Sequence, residues 1–239
     1  MHLQNKTILI TGSTDGLGRL LAIELAKKGA NIIVTGRDKT KTDLVLQELA
    51  TANAQGKHTS IMCDLNKPET VAEAFESVEQ LDVLVNCAGV WAEGNTIDIK
   101  PERIIELVNV NLSSYMLVFR TLLPKLLAST YGQLLNVVSV AGYEIPAGYF
   151  HTVYSASKYG LQGFTEATAK EFENKNLRVM GFYPGGMETA FFTKAGEDYD
   201  KHEPWMFDPM ESVEAIIFML TRNEKINIKR LDLINHLQQ

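Results

Sequence analysis

Thr11-Gly12-Ser13-Thr14-Asp15-Gly16-Leu17-Gly18 decides the fold of this 239-residue chain. It follows a strand-like run, Lys6–Ile10, and opens a stretch in which Leu17, Leu20, Leu21 and Leu25 recur at helical spacing. Gly29 falls where such a helix would stop. Strand, glycine-rich turn and helix in that order suit a pyrophosphate. Glycines let the backbone turn tightly and approach closely, and the helix N-terminus offers N–H groups and positive dipole. No Gly-Lys-Ser/Thr closes the turn, which separates it from a P-loop.

The same alternation continues outward. Asn31–Thr35, Ser60–Cys63, Leu81–Asn86, Gln133–Val138 and Leu177–Phe182 read as buried strands, because their apolar runs do not alternate with polar residues. Helical patterns cover 39–52, 68–79, 101–128, 153–174 and 211–221. Pro68 and Pro101 stand at helix starts, where a missing N–H costs nothing, and Pro124 is expected to kink or end its helix. Short connections predict right-handed crossovers and an α/β fold: a Rossmann-type doubly wound parallel sheet with helices on both faces, one domain over residues 1–239. Ligands in such sheets bind beyond the carboxyl ends of the strands, near the point where strand order reverses.

Composition narrows the function classes. With 45% hydrophobic and 22% charged residues, the chain is not a disordered one. A net charge of −6 lacks the basic footprint of a nucleic-acid binder. The apolar runs are too short for a bilayer and the N-terminus lacks a signal peptide's pattern, so a cytoplasmic protein without membrane contact is expected. Two cysteines and five histidines show no metal-ligand spacing, so no metal is expected. Cys63 and Cys87 read as buried thiols. A strand order 3-2-1-4 would separate them by three strand spacings, roughly 14 Å, beyond disulfide reach.

Tyr154-Ser155-Ala156-Ser157-Lys158 lies on a predicted helix, and residues four apart share a face. Phenol and ammonium can therefore address one site. A phenol with a pKa of about 10 is a poor acid–base group at neutral pH, and a neighbouring cation favours phenolate. Ser139 ends the fifth predicted strand, at a carboxyl edge where the fold places function.

Taken in order, Thr-Gly-x-x-x-Gly-x-Gly at 11–18, Asn86-Cys87-Ala88-Gly89, Ser139, Tyr-x-x-x-Lys at 154–158 and Pro184-Gly185-Gly186-Met187-Glu188-Thr189 resemble the short-chain dehydrogenase/reductase family, in its smaller single-domain branch. The resemblance spans about residues 6–190, with Cys87 departing from the family's Asn-Asn-Ala-Gly. It implies an enzyme that interconverts a carbonyl and an alcohol by hydride transfer. Tyr154 would be the general acid/base and Ser139 the partner of the reacting oxygen. Lys158 would lower the Tyr154 pKa and contact the nicotinamide ribose. Asn111, matched through Asn111-Leu112-Ser113 in preference to Asn109, would hold a water linking Lys158 to solvent. Gly12, Ser13, Thr14, Gly16, Leu17 and Gly18 would cradle the cofactor, with Asp64 and Leu65 at the adenine. Asn86 would stabilise the central sheet, and Ala88 and Gly89 would line the cofactor path. Pro184, Gly185, Met187 and Thr189 would meet the nicotinamide carboxamide.

Cofactor choice turns on Val34-Thr35-Gly36-Arg37-Asp38. Gly36 stands where NAD-preferring members carry Asp, and the Arg37 guanidinium can pair with a 2′-phosphate. NADP(H) is therefore expected over NAD(H). Asp38 could still reach the ribose, and Asp15 stands where some NADP-preferring relatives carry a basic residue. The alternatives are an NAD-dependent polyol or sugar dehydrogenase, or a non-catalytic NADP(H)-binding sensor.

The expected partner is a small-molecule carbonyl or alcohol. Its choice should reside in a lid at Ala190–Pro209 and in the loops near Trp91 and Tyr143–His151. The lid mixes Phe191, Phe192, Tyr199, Trp205 and Phe207 with Glu197, Asp198, Asp200 and Glu203. His151, three residues before Tyr154, could face the pocket, but reads rather as a loop residue. The patterns at 101–128 and 153–174 resemble helices that pair subunits in the family, so a homodimer or homotetramer is expected. Ile226–Gln239 lacks the glycine turn of many relatives, which puts in doubt the subunit contact or substrate closure made by that tail.

Overall fold

The computed structural model describes residues 2–145, 148, 150–199 and 202–236. Asp200 and part of the Tyr143–His151 loop lie outside them. Among the described residues the strands are β1 (Thr7–Ile10), β2 (Asn31–Gly36), β3 (Thr59–Met62), β4 (Val83–Asn86), β5 (Gly132–Val137), β6 (Leu177–Pro184) and β7 (Arg230–Leu233). The helices are α1 (Gly16–Lys27), α2 (Lys39–Ala52), α3 (Pro68–Phe75), α4 (Pro101–Val108), α5 (Ser114–Ala128), α6 (Thr152–Glu171) and α7 (Pro209–Leu220). Every strand pair is parallel, in the order β3-β2-β1-β4-β5-β6-β7. Strand order reverses between β1 and β4, as the doubly wound expectation requires.

The period of two along each strand feeds two cores. Ile8, Ile10, Ile32, Val34, Val83 and Val85 pack on one face with α1, α2 and α7. Leu9, Ile33, Leu84 and Leu134 pack on the other with α3, α5 and Phe172 at the end of α6. Both faces are covered, which explains the continuous apolar runs. Cys63 and Cys87 follow β3 and β4, three strands apart, and both are free thiols.

Three local features differ from or add to the sequence pattern. The helix expected over 101–128 is divided by a π turn, Asn109–Ser113, between α4 and α5. Pro124 lies inside α5 and does not end it. Near the last turn a proline forfeits one backbone bond, which the packing of Leu122 and Leu126 outweighs. The tail forms β7, pairing Gly181–Pro184 with Arg230–Leu233. Its Arg-Leu-Asp-Leu alternation suits an edge strand with one face on the core.

The first turn is tied to the sheet before it meets any ligand. Ser13 Oγ donates to Ile10 O at 2.8 Å and accepts from Thr35 N at 2.8 Å. Thr35 Oγ1 accepts from Gly12 N at 3.2 Å. The Ser13 side chain is thus buried and turned into the sheet. Ser13→Ala would leave the buried Thr35 N–H unpaired and should cost about 1–3 kcal/mol in urea unfolding. A loss within experimental error would show that the hydroxyl does not hold the turn.

Candidate active site

A cleft of about 860 Å³ opens along the carboxyl edge of the sheet, over the β1/β4 reversal. Gly12, Thr14, Gly16, Leu17, Gly18, Arg37, Asp64, Leu65, Ala88, Gly89, Ser139, Tyr154, Lys158, Pro184, Gly185, Met187 and Thr189 all line it. Ser13, Asn86 and Asn111 do not. Asn86 is fully buried and donates to Asn136 Oδ1 at 3.0 Å, bridging β4 and β5.

The glycines at the β1 turn fit a dinucleotide. Gly12 has φ 67°, and a Cβ there would stand 2.7 Å from Ala88 Cα. A Cβ on Gly18 would stand 2.5 Å from Gly12 O. Only glycine lets the turn press against β4 and α1 start beneath the cleft. At the far end of β2, the Arg37 guanidinium is 70% exposed and lies 3.9 Å from Asp64. Asp38 caps α2, its Oδ1 accepting from Lys41 N at 3.1 Å. Lys41 also lines the cleft, a second cation there beside Arg37.

Tyr154 and Lys158 come from the first turns of α6, and Ser139 from the end of β5. Ser139 carries φ 153°, ψ 156°, a region otherwise left largely to glycine and costing about 1–3 kcal/mol. Its Oγ accepts from Ala141 N at 3.2 Å and reaches Tyr154 through a side-chain hydrogen bond. Burial pushes the Tyr154 phenol up to about 12, against the lowering effect of that bond. Burial pulls Lys158 down to about 8.

The expected lowering of the Tyr154 pKa by Lys158 is not present in this arrangement. Lys158 Nζ donates to Val137 O at 3.1 Å and stands 5.7 Å from the ring centroids of both Tyr154 and Tyr115. The ammonium is spent on a carbonyl and two ring faces, and desolvation dominates the phenol. Asn111 is buried beside the turn after β4. Its Oδ1 accepts from Val90 N at 2.9 Å, and its Nδ2 donates to Val90 O at 2.9 Å and Ser157 Oγ at 3.2 Å. Its side chain thus clamps the β4 loop. The rival Asn109 donates instead to Asn66.

The sequence pattern undervalued two residues here. Trp91 is buried, with its ring centroid 4.4 Å from Tyr154 and 5.0 Å from Phe192. His151, read as a loop residue, is also buried, 5.2 Å from Trp91, with Nδ1 2.7 Å from Ser155 Oγ. Burial holds its pKa below the ordinary value, against its own backbone and Glu93. The signal available was its spacing of three from Tyr154, one helical turn.

Phe191, Phe192, Tyr199 and Trp205 close an aromatic wall over this end. Phe207 bridges back to Met187, and Asn235 Nδ2 donates to Pro204 O and Met206 O at 2.9 Å each. Arg230 stacks 3.9 Å from the Tyr143 centroid and 4.5 Å from that of Tyr183. The glycine-free tail thus braces both substrate-side segments.

The depressed Lys158 sets a pH dependence. A lowered folded pKa means that charging this group opposes folding. Its contribution is fully favourable above 10.5 and is lost as pH falls through about 8. Lys158→Met removes the buried ammonium, so at pH 6 the variant should gain relative to wild type by roughly 3 kcal/mol at most. That gain should fade between pH 8 and 10.5 in paired urea melts. A difference independent of pH would refute the buried ammonium.

A profile of the family described as short chain dehydrogenase matches residues 6–200. An uncharacterized oxidoreductase of Staphylococcus aureus (strain N315) is 28% identical over 233 residues, 96% of each chain. An alcohol dehydrogenase from the archaeon Thermococcus sibiricus, complexed with 5-hydroxy-NADP, has a TM-score of 0.87 at 21% identity over 99% of both chains. A metagenomic short-chain oxidoreductase in complex with NADP has a TM-score of 0.80 at 26% identity over 98% of both. Joined to the cleft at the strand reversal, these likenesses make the chain a member of the short chain dehydrogenase family of NAD(P)-dependent oxidoreductases.

Proposed function

We propose that the protein reduces an apolar carbonyl compound with NADPH, the reverse oxidation being available to the same groups. The observation that carries this is the convergence of Tyr154, Ser139 and Lys158 on the cleft that the glycine-rich turn opens. A nicotinamide dinucleotide in that cleft would supply hydride. Tyr154, kept protonated by burial, gives a proton to the carbonyl oxygen. Ser139 hydrogen-bonds the same oxygen and steadies its developing charge. Lys158, one turn along α6, would hold the nicotinamide ribose, Asp64 and Leu65 the adenine, and Thr189 and Met187 the carboxamide.

Arg37 and Lys41 support NADP(H) over NAD(H). Gly36 offers no carboxylate to a 2′-OH, and Asp38 is occupied in capping α2. Two similar structures carry NADP or a derivative of it. The aromatic wall of Trp91, Phe191 and Phe192 supports an apolar substrate, and 190–209 acts as its lid. Exposed Ile105, Met116, Leu127 and Tyr159 support pairing of two chains through α4, α5 and α6. Among the described residues no helix is long and apolar enough to cross a membrane, which suits a cytoplasmic site of action.

A panel of ketones, aldehydes, diketones and sugars with NADPH, and of alcohols with NADP and NAD, tests the reading. Tyr154→Phe should cut turnover about 100- to 10,000-fold while NADPH affinity holds. Arg37→Ala should lower kcat/KM for NADPH about tenfold and leave that for NADH alone. Full activity in the first variant removes the mechanism, and an unchanged cofactor ratio in the second removes the NADP assignment. Turnover of polyols with NAD alone would favour the sugar-dehydrogenase reading, and no turnover with any pair the sensor reading.

A further inference from the structure

Local charge at the glycine-rich turn is unfavourable for a pyrophosphate. Within Gly12–Gly18 the ionised side chain is Asp15, a carboxylate. Its Oδ1 accepts from Gly16 N at 2.7 Å, so it already takes one of the N–H groups at the start of α1. Arg19, one turn on, is held by Glu48 through Nε at 2.9 Å and a second contact from Nη2. Some other cation must offset both Asp15 and an incoming diphosphate.

Among the described residues, the cations lining the cleft are Arg37, Lys41, Arg103, Lys158 and Lys194. Arg103 is bound to Trp91 O and Glu106. Lys158 is buried against Val137 O. Arg37 and Lys41 belong to the end of β2 and the start of α2. Lys41 also acts on Asp15 through its charge, but the cation in direct contact with that carboxylate is Lys194, on the segment after β6, whose Nζ pairs with Asp15 Oδ2 across 179 residues of sequence. The base of the same segment passes directly over the turn: a Cβ on Gly16 would stand 3.8 Å from Thr189 Cβ.

We infer that Lys194 is a ligand of the dinucleotide's pyrophosphate, carried by the lid and held ready by Asp15. On binding, the ammonium exchanges the Asp15 carboxylate for the diphosphate oxygens. The exchange is inexpensive because both side chains are about half exposed, and such pairs contribute little in water. The inference rests on the dinucleotide reading above and extends it to a residue three positions from the aromatic wall.

The two partners of the ion pair should act with opposite sign. Titrations of NADPH and of NADH into the full chain, followed by ligand fluorescence at two salt concentrations, read this directly. Lys194→Met should raise both dissociation constants about fivefold and flatten their salt dependence, as loss of one charge-assisted contact implies. Asp15→Asn keeps the cap on Gly16 and removes the competing charge, so both dinucleotides should bind a few-fold tighter. Equal weakening by the two variants, or no change in either, overturns the inference and leaves the pair as a structural tie. An effect of Lys194→Met on NADPH alone overturns it in favour of a 2′-phosphate contact. Wild-type protein that binds neither dinucleotide overturns the cofactor reading itself.

Discussion

Thr11 joins the two strands between which the sheet reverses. Its N–H donates to Val85 O at 3.0 Å, and its Oγ1 accepts from Cys87 N at 2.9 Å and Ala88 N at 3.2 Å. The turns after β1 and β4 are therefore one unit, and Gly12 is pressed onto Ala88 because no side chain fits between them. The consequences run along the chain from there. Tyr115 Oη donates to Ala88 O at 2.7 Å, bringing α5 to the same point. Val90 is clamped on both backbone groups by Asn111. Trp91 follows and lies against Tyr154. Cofactor turn and reaction centre are linked by backbone contacts one or two residues apart, so neither can shift alone.

Desolvation governs the chemistry at the end of that path. It moves a phenol up and an ammonium down, so both drift toward their neutral forms. At neutral pH the phenol therefore keeps its proton. Lys158, near 8, is held against Val137 O instead of the phenol oxygen. Cys87, pushed to about 12 by burial, stays a thiol beside them and does not compete for the proton. Its substitution for the asparagine of the family pattern is thus electrostatically quiet.

Much of this was legible in the sequence, for a physical reason. Residues that must sit at carboxyl strand ends are fixed to short runs of buried β-branched and aliphatic residues, whose spacing is visible without coordinates. The glycine turn, Ser139, Tyr154 and Lys158 all belong to this class. Contacts that depend on side-chain direction were not legible. Ser13 stands in the right motif but its hydroxyl faces the sheet, which no spacing reveals. The π turn at Asn109–Ser113 breaks the helical period by one residue, too little to register in the pattern. β7 was missed because an edge strand with one solvent face alternates, whereas the other strands do not. Its Arg-Leu-Asp-Leu was a signal of period two set against six strands without one.

The tail also explains how a chain without the family's glycine turn shapes its substrate site. Arg230 lies between Tyr143 and Tyr183, and Asn235 grips the carbonyls of Pro204 and Met206. Trp205 packs onto Gly186, where a Cβ would stand 2.0 Å from the indole. The later part of the 190–209 segment is therefore fixed to the body from two sides. Its earlier part, Ala190–Ala195, carries Phe191 and Phe192 toward Tyr154 and Lys194 toward Asp15. The cation beside Asp15 and the rings beside Trp91 and Tyr154 therefore share one short stretch, two or three residues apart in sequence.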